Sequence, residues 1–208
     1  MKTLICSSLL ALALAAPVIA HADTPETAPV TALDTALIAT MKAGSAGQGF
    51  QARYDTLDPV VKASFDLPVV EQNSVGFLWS TIPPAQQKEL SEVFEQFTVA
   101  SYVREFSSYG GQTLKLLPAE KTLGAKKIVE TQIANADGSS PTRLDYIVAE
   151  GPNGWQITDV LLNGTISQVA VHSSDFSALV TSGDASQLIT AIKAKIAALT
   201  SDASPGSQ

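Results

Sequence analysis

The alternation of apolar and polar residues over 141–167 predicts a β-hairpin, the element around which the rest of the chain is arranged. Two runs rich in aliphatic and aromatic residues flank a Gly-Pro-Asn-Gly turn at 151–154, whose proline presets one dihedral and whose last glycine accepts a positive φ. A similar run at 126–136 precedes the hairpin, and a short one covers 113–117. The pattern therefore predicts about four antiparallel strands in succession.

Apolar residues recur at helical spacing on both sides of these strands. The helices predicted from this spacing span 32–42, 50–65, 69–79, 81–109, 175–181 and 186–199. Asp66 can cap the third helix, Ser174 can cap the fifth, and the glycine pair at 110–111 closes the fourth. Gly76, inside the third helix, suggests that another element approaches closely there.

Helices, then strands, then helices in this order predict an α+β domain, in which a twisted antiparallel sheet of about four strands is covered by a helical layer. The fourth helix is apolar over more than one face, so we expect it to contact both the sheet and the other helices. The functional site is expected in the space between the two layers.

The first 22 residues carry one lysine, an apolar run, a proline break and a small-x-small ending, which predicts a secretory signal peptide cleaved before Asp23. The alternative is an uncleaved membrane anchor, for which the run is short. A flexible leader is expected at 23–31, a single domain at 32–200 and a disordered tail at 201–208. Because Cys6, the single cysteine, lies in the signal, the exported protein is stabilised without disulfides.

Charge narrows the range of partners. Removal of the signal, with its one lysine and no acidic residue, takes the formal net charge from −7 to −8 and leaves 186 residues. An acidic surface disfavours nucleic acid and anionic lipid headgroups as partners. No later apolar run approaches the roughly 20 residues that a membrane-spanning helix needs. Together with the predicted signal peptide, this predicts a protein that is exported without a further membrane span.

Residues suited to catalysis or metal binding are few. The exported chain has one histidine, His172, which the pattern places at a strand-to-helix junction where neighbouring serines and an aspartate are expected to cap a helix. The nucleophile motifs G-x-S-x-G and S-x-x-K are absent, and the acidic residues lack the spacing of a calcium loop. We therefore expect no enzyme activity, no catalytic residue, no metal and no cofactor.

Two aspartates, Asp145 and Asp159, lie on the two strands of the predicted hairpin. Whether their carboxylates share a face depends on whether a bulge shifts the pairing register by one residue. Both are interpreted as structural. An enzyme built on a cone-shaped sheet would need a pair of catalytic side chains deep inside it. Tyr146 near Asp159 is the only candidate for such a pair.

The exported chain contains, in this order, the segments FQARYDTL at 50–57, FDLP at 65–68, VGFLW at 75–79, YVREF at 102–106, VET at 129–131, LDY at 144–146 and GWQITDV at 154–160. Through these segments nearly the whole exported chain, over about 32–198, resembles the MlaC/toluene-tolerance family of periplasmic substrate-binding proteins. Within the family, WQITDV, GTISQ at 164–168 and SDF at 174–176 are most similar to the HpnM branch, which is associated with hopanoid biosynthesis.

The resemblance implies an NTF2-reminiscent α+β fold around an apolar cavity, in a shuttle for a membrane lipid. The cargo would be a phospholipid or, for the HpnM branch, a hopanoid-type lipid. The implied partners are an ABC-type transporter with an MCE-domain protein at the inner membrane and a lipoprotein complex at the outer membrane. Large apolar residues on elements that face across the layers are predicted to form the cavity walls: Val75, Trp79, Phe94, Phe97, Phe106, Tyr146 and Trp155.

Two other classes of protein stay open. An NTF2-like enzyme would use Tyr146 and Asp159, so the depth and spacing of these two side chains test that alternative. A non-catalytic periplasmic protein-binding module would have an interior filled by its own side chains, so the volume of the cavity tests that one.

Overall fold

The computed structural model describes residues 24–201, of which Ala119 and Glu120 are described by their backbone alone. The helices are α1 (Ala28–Ser45), α2 (Phe50–Ser64), α3 (Leu67–Val75), α4 (Pro84–Glu105), α5 (Gln168–Phe176) and α6 (Ser186–Thr200), with a 3₁₀ helix at Gly76–Thr81. The strands are β1 (Thr113–Leu123), β2 (Lys126–Ala134), β3 (Thr142–Gly151), β4 (Gly154–Leu162) and β5 (Ile166–Ser167). The predicted signal peptide and residues 202–208 of the predicted tail lie outside the described residues.

The strands form one antiparallel sheet in the order β1-β2-β3-β4-β5, so each strand pairs with the next one in the chain. The predicted α+β class with four main strands is confirmed, and β5 adds two residues at one edge. At the tip of the β3–β4 hairpin, Gly151 pairs with Gly154, whose φ of 87° suits glycine. The predicted hairpin is confirmed.

One face of the sheet is apolar and lies under the helices. Residues directly opposed on paired strands point to the same side of a sheet. Val129 pairs with Tyr146, Tyr146 pairs with Val160, and Leu144 pairs with Leu162. Val129, Tyr146 and Val160 are buried. The sheet therefore presents an aliphatic and aromatic surface to the helical layer.

The opposite face of the sheet carries an ion-pair cluster. Arg143 Nε donates to Asp145 Oδ1 at 2.8 Å, and the Arg143 guanidinium also pairs with Glu130. Lys121 Nζ lies 2.7 Å from Glu130 Oε1. Asp145 is therefore a structural residue, as predicted, because its carboxylate is held by the arginine two positions away on the same strand.

The helices pack chiefly on one another. α1 packs against α2, α4 packs against both α2 and α6, and α3 packs against α5. The fully buried leucines of this layer include Leu33, Leu37, Leu57, Leu90 and Leu188. The predicted contacts of α4 with other helices are confirmed. Within residues 24–201, no helix is both long enough and apolar enough to cross a membrane.

The flexible leader predicted at 23–31 is wrong for residues 24–31, because α1 begins at Ala28 and the preceding turn is packed on the domain; Asp23 lies outside the described residues. Val30 is fully buried, and the buried carboxylate of Glu26 pairs with Lys127 Nζ at 2.5 Å. Proline and threonine suggested an irregular segment, but proline suits the first turn of a helix, where its missing N–H has no intrahelical partner.

Two predicted helix ends are also wrong. α3 ends at Val75, because Gly76 has a φ of 76° and closes the helix, and the 3₁₀ helix follows. The expected close approach at Gly76 is absent, since a Cβ there would find Ser173 Oγ as its nearest neighbour, at 3.9 Å. α4 ends at Glu105, because Phe106 leaves the helical conformation with φ −98° and ψ 56°.

Two boundaries in the second half of the chain differ from prediction. β1 continues past Pro118 to Leu123 through a register irregularity, which an edge strand tolerates because proline has no N–H to pair. α5 begins earlier than predicted, because Ser167 accepts a hydrogen bond from Ala170 N–H at 3.0 Å and caps it. The predicted cap, Ser174, lies inside α5.

Candidate functional site: an apolar cavity with a polar rim

A cavity of about 500 Å³ lies between α4, α5 and the apolar face of the sheet. Its apolar lining residues are Met41, Phe65, Val70, Phe94, Phe97, Tyr102, Phe106, Ile133, Leu144, Tyr146, Val160, Leu162 and Val169. Its polar lining residues are Thr98, Ser101, Glu105, Gln112, Asn135, Thr142, Asp159, Gln168 and His172. Pockets that hold small molecules have volumes of roughly 300–1,000 Å³, so this cavity can take a ligand.

The periodicities of helix and strand bring these residues together. α4 contributes a stripe at helical spacing: Phe94, Phe97, Thr98, Ser101 and Glu105. β3 contributes every second residue: Thr142, Leu144 and Tyr146. Because the stripe faces the sheet across the hollow, the side of α4 that was expected to pack on the sheet lines a cavity instead.

The polar residues at one end form a rim, which we define as Glu105, Gln112, Asn135 and Thr142. Gln112 precedes β1, Asn135 follows β2, and Thr142 begins β3. Because these neighbouring strands are antiparallel, the three residues lie at the same end of the strands. Glu105 ends α4 and is exposed, while the other three are partly buried. Polar side chains that are exposed or partly exposed therefore border the cavity at this end of the strands.

Four of the seven predicted wall residues line the cavity: Phe94, Phe97, Phe106 and Tyr146. All four are largely buried, at 1–9% exposure, so a ligand in the cavity would touch side chains that water does not reach freely. Their contact with a lipid stays a prediction. The cavity volume contradicts the alternative of an interior filled by its own side chains.

The other three predicted wall residues do not line it. Val75 belongs to the buried core at the end of α3. Trp79 packs against that core from the 3₁₀ helix, and its carbonyl oxygen accepts a hydrogen bond from Gln87 Nε2 at 2.9 Å. Trp155 lies near the hairpin tip, where Lys127 Nζ is 5.6 Å from the ring centroid. The prediction that these residues form cavity walls is wrong, because a large apolar residue can equally well fill a core.

Sequence reasoning missed several lining residues, among which His172 is chemically the most distinct. It lies in the middle of α5 rather than at a strand-to-helix junction. Its ring stacks on Phe176 at 5.3 Å and meets the edges of Phe94 and Phe97 at 6.3 and 5.8 Å between centroids. Burial lowers the pKa of His172, and the nearby charge of Lys195 adds to this. The neutral imidazole is therefore part of the aromatic wall.

Tyr146 connects the cavity to α1. Its hydroxyl donates to Asp34 Oδ1 at 3.3 Å, and both residues are buried. Burial raises the pKa of Asp34 to about 7, and the hydrogen bond from Tyr146 opposes this rise. Burial is also the main cause that raises the pKa of Tyr146. The pair is a buried carboxyl–phenol contact on the inner face of the sheet.

Asp159 does not pair with Tyr146, so the constellation of the enzyme alternative is not formed. Its carboxylate accepts hydrogen bonds from Ser167 Oγ at 2.5 Å and from the backbone N–H groups of Val160 and Val169 at 2.7 and 3.1 Å. These contacts hold the start of α5, so the carboxylate of Asp159 has the kind of structural role that was predicted for it. Among residues 24–201, no group of three or more histidine and acidic side chains is placed to hold a metal ion.

An antiparallel sheet, a helical cover and a rimmed apolar cavity define a small-ligand-binding α+β protein. The family model described as MlaC protein matches residues 31–194, and the chain belongs to the MlaC family. The fold is similar to that of the phospholipid-binding protein from Ralstonia solanacearum, whose structure was solved in complex with a phospholipid. The TM-score is 0.71 at 22% sequence identity, over 84% of this chain and 98% of that chain. No curated protein matches the sequence.

Proposed function

We propose that this protein is a periplasmic lipid carrier, which shelters the acyl chains or the apolar body of a membrane lipid in its cavity during transport between membranes. The observation that carries the proposal is a cavity of about 500 Å³, apolar inside and polar at its rim, in a chain of the MlaC family. A lipid has the same division between an apolar part and a polar head. The fold-related protein from Ralstonia solanacearum holds a phospholipid.

The energetics suit a reversible carrier. Shielding one methylene group from water contributes about 0.8 kcal/mol, so enclosing a dozen contributes on the order of 10 kcal/mol before association costs. Association costs offset a large part of that gain, which leaves an affinity from which a membrane can recover the lipid. The apolar wall therefore supplies enough free energy for transport through water without permanent capture.

The fit between the shape of the lipid and the cavity, rather than a sequence motif, is expected to decide the cargo. A phospholipid is the cargo that the family suggests, and the likeness of 155–160 and 164–168 to the HpnM branch favours a hopanoid-type lipid as the alternative. Mass spectrometry of extracted lipid separates the two, since a diacyl lipid and a triterpenoid differ in both mass and phosphorus content.

Location and partners complete the proposal. The predicted signal peptide at 1–22 and membership of the MlaC family support a periplasmic location. Partners of the same kind as those implied by the resemblance would load and unload the carrier: an MCE-domain protein with its ABC-type transporter at the inner membrane and a lipoprotein complex at the outer membrane.

The test is to block the cavity and to measure the lipid that co-purifies. Ser101→Trp places an indole in the hollow from the cavity-facing stripe of α4. Gln96→Trp is the matched control, because Gln96 is an exposed residue of the same helix outside the lining. We expect lipid recovery from the exported protein to fall at least fivefold in Ser101→Trp and to stay unchanged in Gln96→Trp, with similar thermal unfolding temperatures.

Two outcomes would contradict the carrier. One is wild-type protein that contains no lipid after purification and takes up none from vesicles of phospholipid or of phospholipid with hopanoid. The other is equal lipid recovery from Ser101→Trp and Gln96→Trp, since a ligand held elsewhere on the surface would not sense the filled cavity.

A further inference from the structure

His172 carries a buried polar atom in the wall of the cavity. Buried polar atoms of protein side chains nearly always have a hydrogen-bond partner. Among the side chains that the structure describes, two buried polar atoms have none, Glu71 Oε1 and His172 Nδ1. Of these two residues, only His172 lines the cavity. The function proposed above treats the imidazole as part of an aromatic wall and gives this nitrogen no role.

The ring contacts of His172 do not require a nitrogen. The imidazole stacks on Phe176 with the ring centroids 5.3 Å apart, and it packs edge-on against Phe94 and Phe97. A phenylalanine in its place would make aromatic contacts of the same kind without burying an unpaired polar atom, which costs free energy. The packing of α5 therefore does not account for the choice of histidine.

The charged groups around His172 already have partners. Lys195, Asp175 and Asp159 are the charged residues that act on the pKa of this imidazole. Lys195 Nζ lies 3.8 Å from Asp175 Oδ2, and the carboxylate of Asp159 accepts three hydrogen bonds at the start of α5. A charged ligand group beside the ring would lose water without gaining a free counter-charge, so a neutral polar group suits this position better.

A hydroxyl group matches the hydrogen-bonding capacity of this imidazole. Burial lowers the pKa of His172, so the ring is neutral near neutral pH. A neutral imidazole has one nitrogen that donates and one that accepts. Because a hydroxyl both donates and accepts, it can pair with Nδ1 in either tautomer.

His172 also lies far from the rim. Its ring meets Phe94 and Phe97 of α4, whereas Glu105 of the rim is the last residue of that helix. At about 1.5 Å per residue, the stretch of α4 from Phe97 to Glu105 is about 12 Å long, and Phe94 lies almost one turn further. A ligand with its polar head at the rim would therefore approach His172 with the opposite end of its apolar body.

We propose that His172 is a specificity-determining residue, whose Nδ1 forms a hydrogen bond with a hydroxyl group at the buried end of the ligand. The inference rests on the proposed carrier function and adds a chemical feature to its cargo: a polar head at one end of the apolar body and a hydroxyl at the other. A purely apolar cavity disfavours a buried hydroxyl, because its hydrogen bonds with water are lost. The imidazole replaces one of those hydrogen bonds, so ligands with such a hydroxyl are admitted.

The experiment compares palmitate with ω-hydroxypalmitate, which differs from it by one hydroxyl on the terminal carbon. Binding to the delipidated exported protein is measured by isothermal titration calorimetry. His172→Leu removes the nitrogen, and His172→Asn, of nearly the same size and shape as leucine, keeps a polar group close to the position of Nδ1. We expect the ratio of dissociation constants, ω-hydroxypalmitate over palmitate, to rise by about fivefold or more in His172→Leu and to stay within about twofold of wild type in His172→Asn.

Phe97→Leu is the matched control, because it changes the aromatic wall of the cavity without changing its polarity. It should alter the binding of both fatty acids equally and leave the ratio at the wild-type value. Thermal unfolding followed by circular dichroism checks that all three variants are folded. A crystal structure of wild-type protein with ω-hydroxypalmitate gives a readout that needs no variant, and we expect the terminal hydroxyl oxygen about 3 Å from His172 Nδ1.

The outcomes separate this inference from the carrier function. A ratio in His172→Leu equal to that of wild type would overturn the inference, and so would equal rises in His172→Leu and His172→Asn. A terminal hydroxyl found away from His172 in the crystal structure would overturn it as well. In each of these cases the carrier stays in place, because palmitate still binds. Wild-type protein that binds neither fatty acid and takes up no phospholipid from vesicles would contradict the carrier itself.

Discussion

The interior has two regions that contain similar residues but are packed differently. Among the helices, Leu57 and Leu90 are completely buried and belong to a continuous core. Between α4 and the sheet, Leu144 and Leu162 are only partly buried and border a cavity. Side chains of the same chemistry thus fill one region and surround a hollow in the other.

The difference shows that the two regions contribute to stability and to ligand space in different proportions. Helix-to-helix packing holds the helical layer together, and the ion-pair cluster ties β1, β2 and β3 to one another on the far side of the sheet. The apolar surface that lines the cavity is still in contact with water after folding. A ligand that covers this surface removes it from water, which contributes favourable binding free energy. Mutations in the two regions should therefore have different effects.

The largest expected effect is in the filled core. Leu90→Ala should lower the free energy of unfolding by about 2–5 kcal/mol, because it creates a new cavity among closely packed helices. Leu162→Ala should lower it by only about 1 kcal/mol, because this side chain already borders open space. Urea denaturation followed by circular dichroism measures both values. Equal losses in the two variants would show that the region beside the sheet is packed as tightly as the helical core.

A smaller effect is expected at Asp34, on the boundary of the hollow region. The pKa of Asp34 is raised to about 7, whereas an aspartate in an unfolded chain has a pKa of about 3.9. The folded protein then keeps a proton that the unfolded chain releases, so this stabilising contribution is complete below about pH 4 and is lost as the pH rises through about 7.

Comparison of wild type with Asp34→Asn isolates that contribution, because other titrating groups such as Glu71 and His172 are common to both proteins. Between pH 5 and pH 7, the free energy of unfolding of wild type should fall by on the order of 2 kcal/mol relative to that of Asp34→Asn. The measurement is urea denaturation at the two pH values. An identical pH dependence for both proteins would contradict a buried, protonated Asp34.

The smallest effect is expected at the hairpin tip, which belongs to neither region. Gly154 has a φ of 87°, so Gly154→Ala should cost about 1 kcal/mol through backbone strain. Gly151→Ala is the control in the same turn, since Gly151 lacks a positive φ, and it should change stability little. Lipid recovery should be the same for both variants, because about 30 Å of strand separates the tip from the rim. A loss of lipid in either variant would extend the site to the hairpin tip.

Local signals account for what the sequence predicted well. The hairpin was predictable because a turn at 151–154 with flanking β-branched runs needs no knowledge of distant residues. The α4 stripe with Phe94 and Phe97 was predictable because helical spacing fixes which side chains share a face. The cap of α5 was not, since Ser167 and Ser174 have equal capping chemistry and the β4–β5 pairing decides between them.

The division between core and cavity was the hardest feature to predict. Trp79 and Phe97 are both aromatic residues on apolar faces and both contact the core, yet only Phe97 also borders the hollow. Phe77, in the same segment as Trp79, is 88% exposed although it is a large apolar residue. Apolar character indicates burial, but it does not indicate whether a side chain or an empty volume lies opposite. Leu144 and Leu162 could have been found from the alternation that placed Tyr146.

The most direct test of the central claim is a high-resolution crystal structure of the exported protein as it is purified. The carrier account predicts continuous density for an aliphatic chain or a polycyclic body between α4 and β3, in contact with Phe97, Leu144 and Tyr146, with its polar end at the rim. An interior in which these side chains meet and close the space, without density for a ligand, would contradict the account.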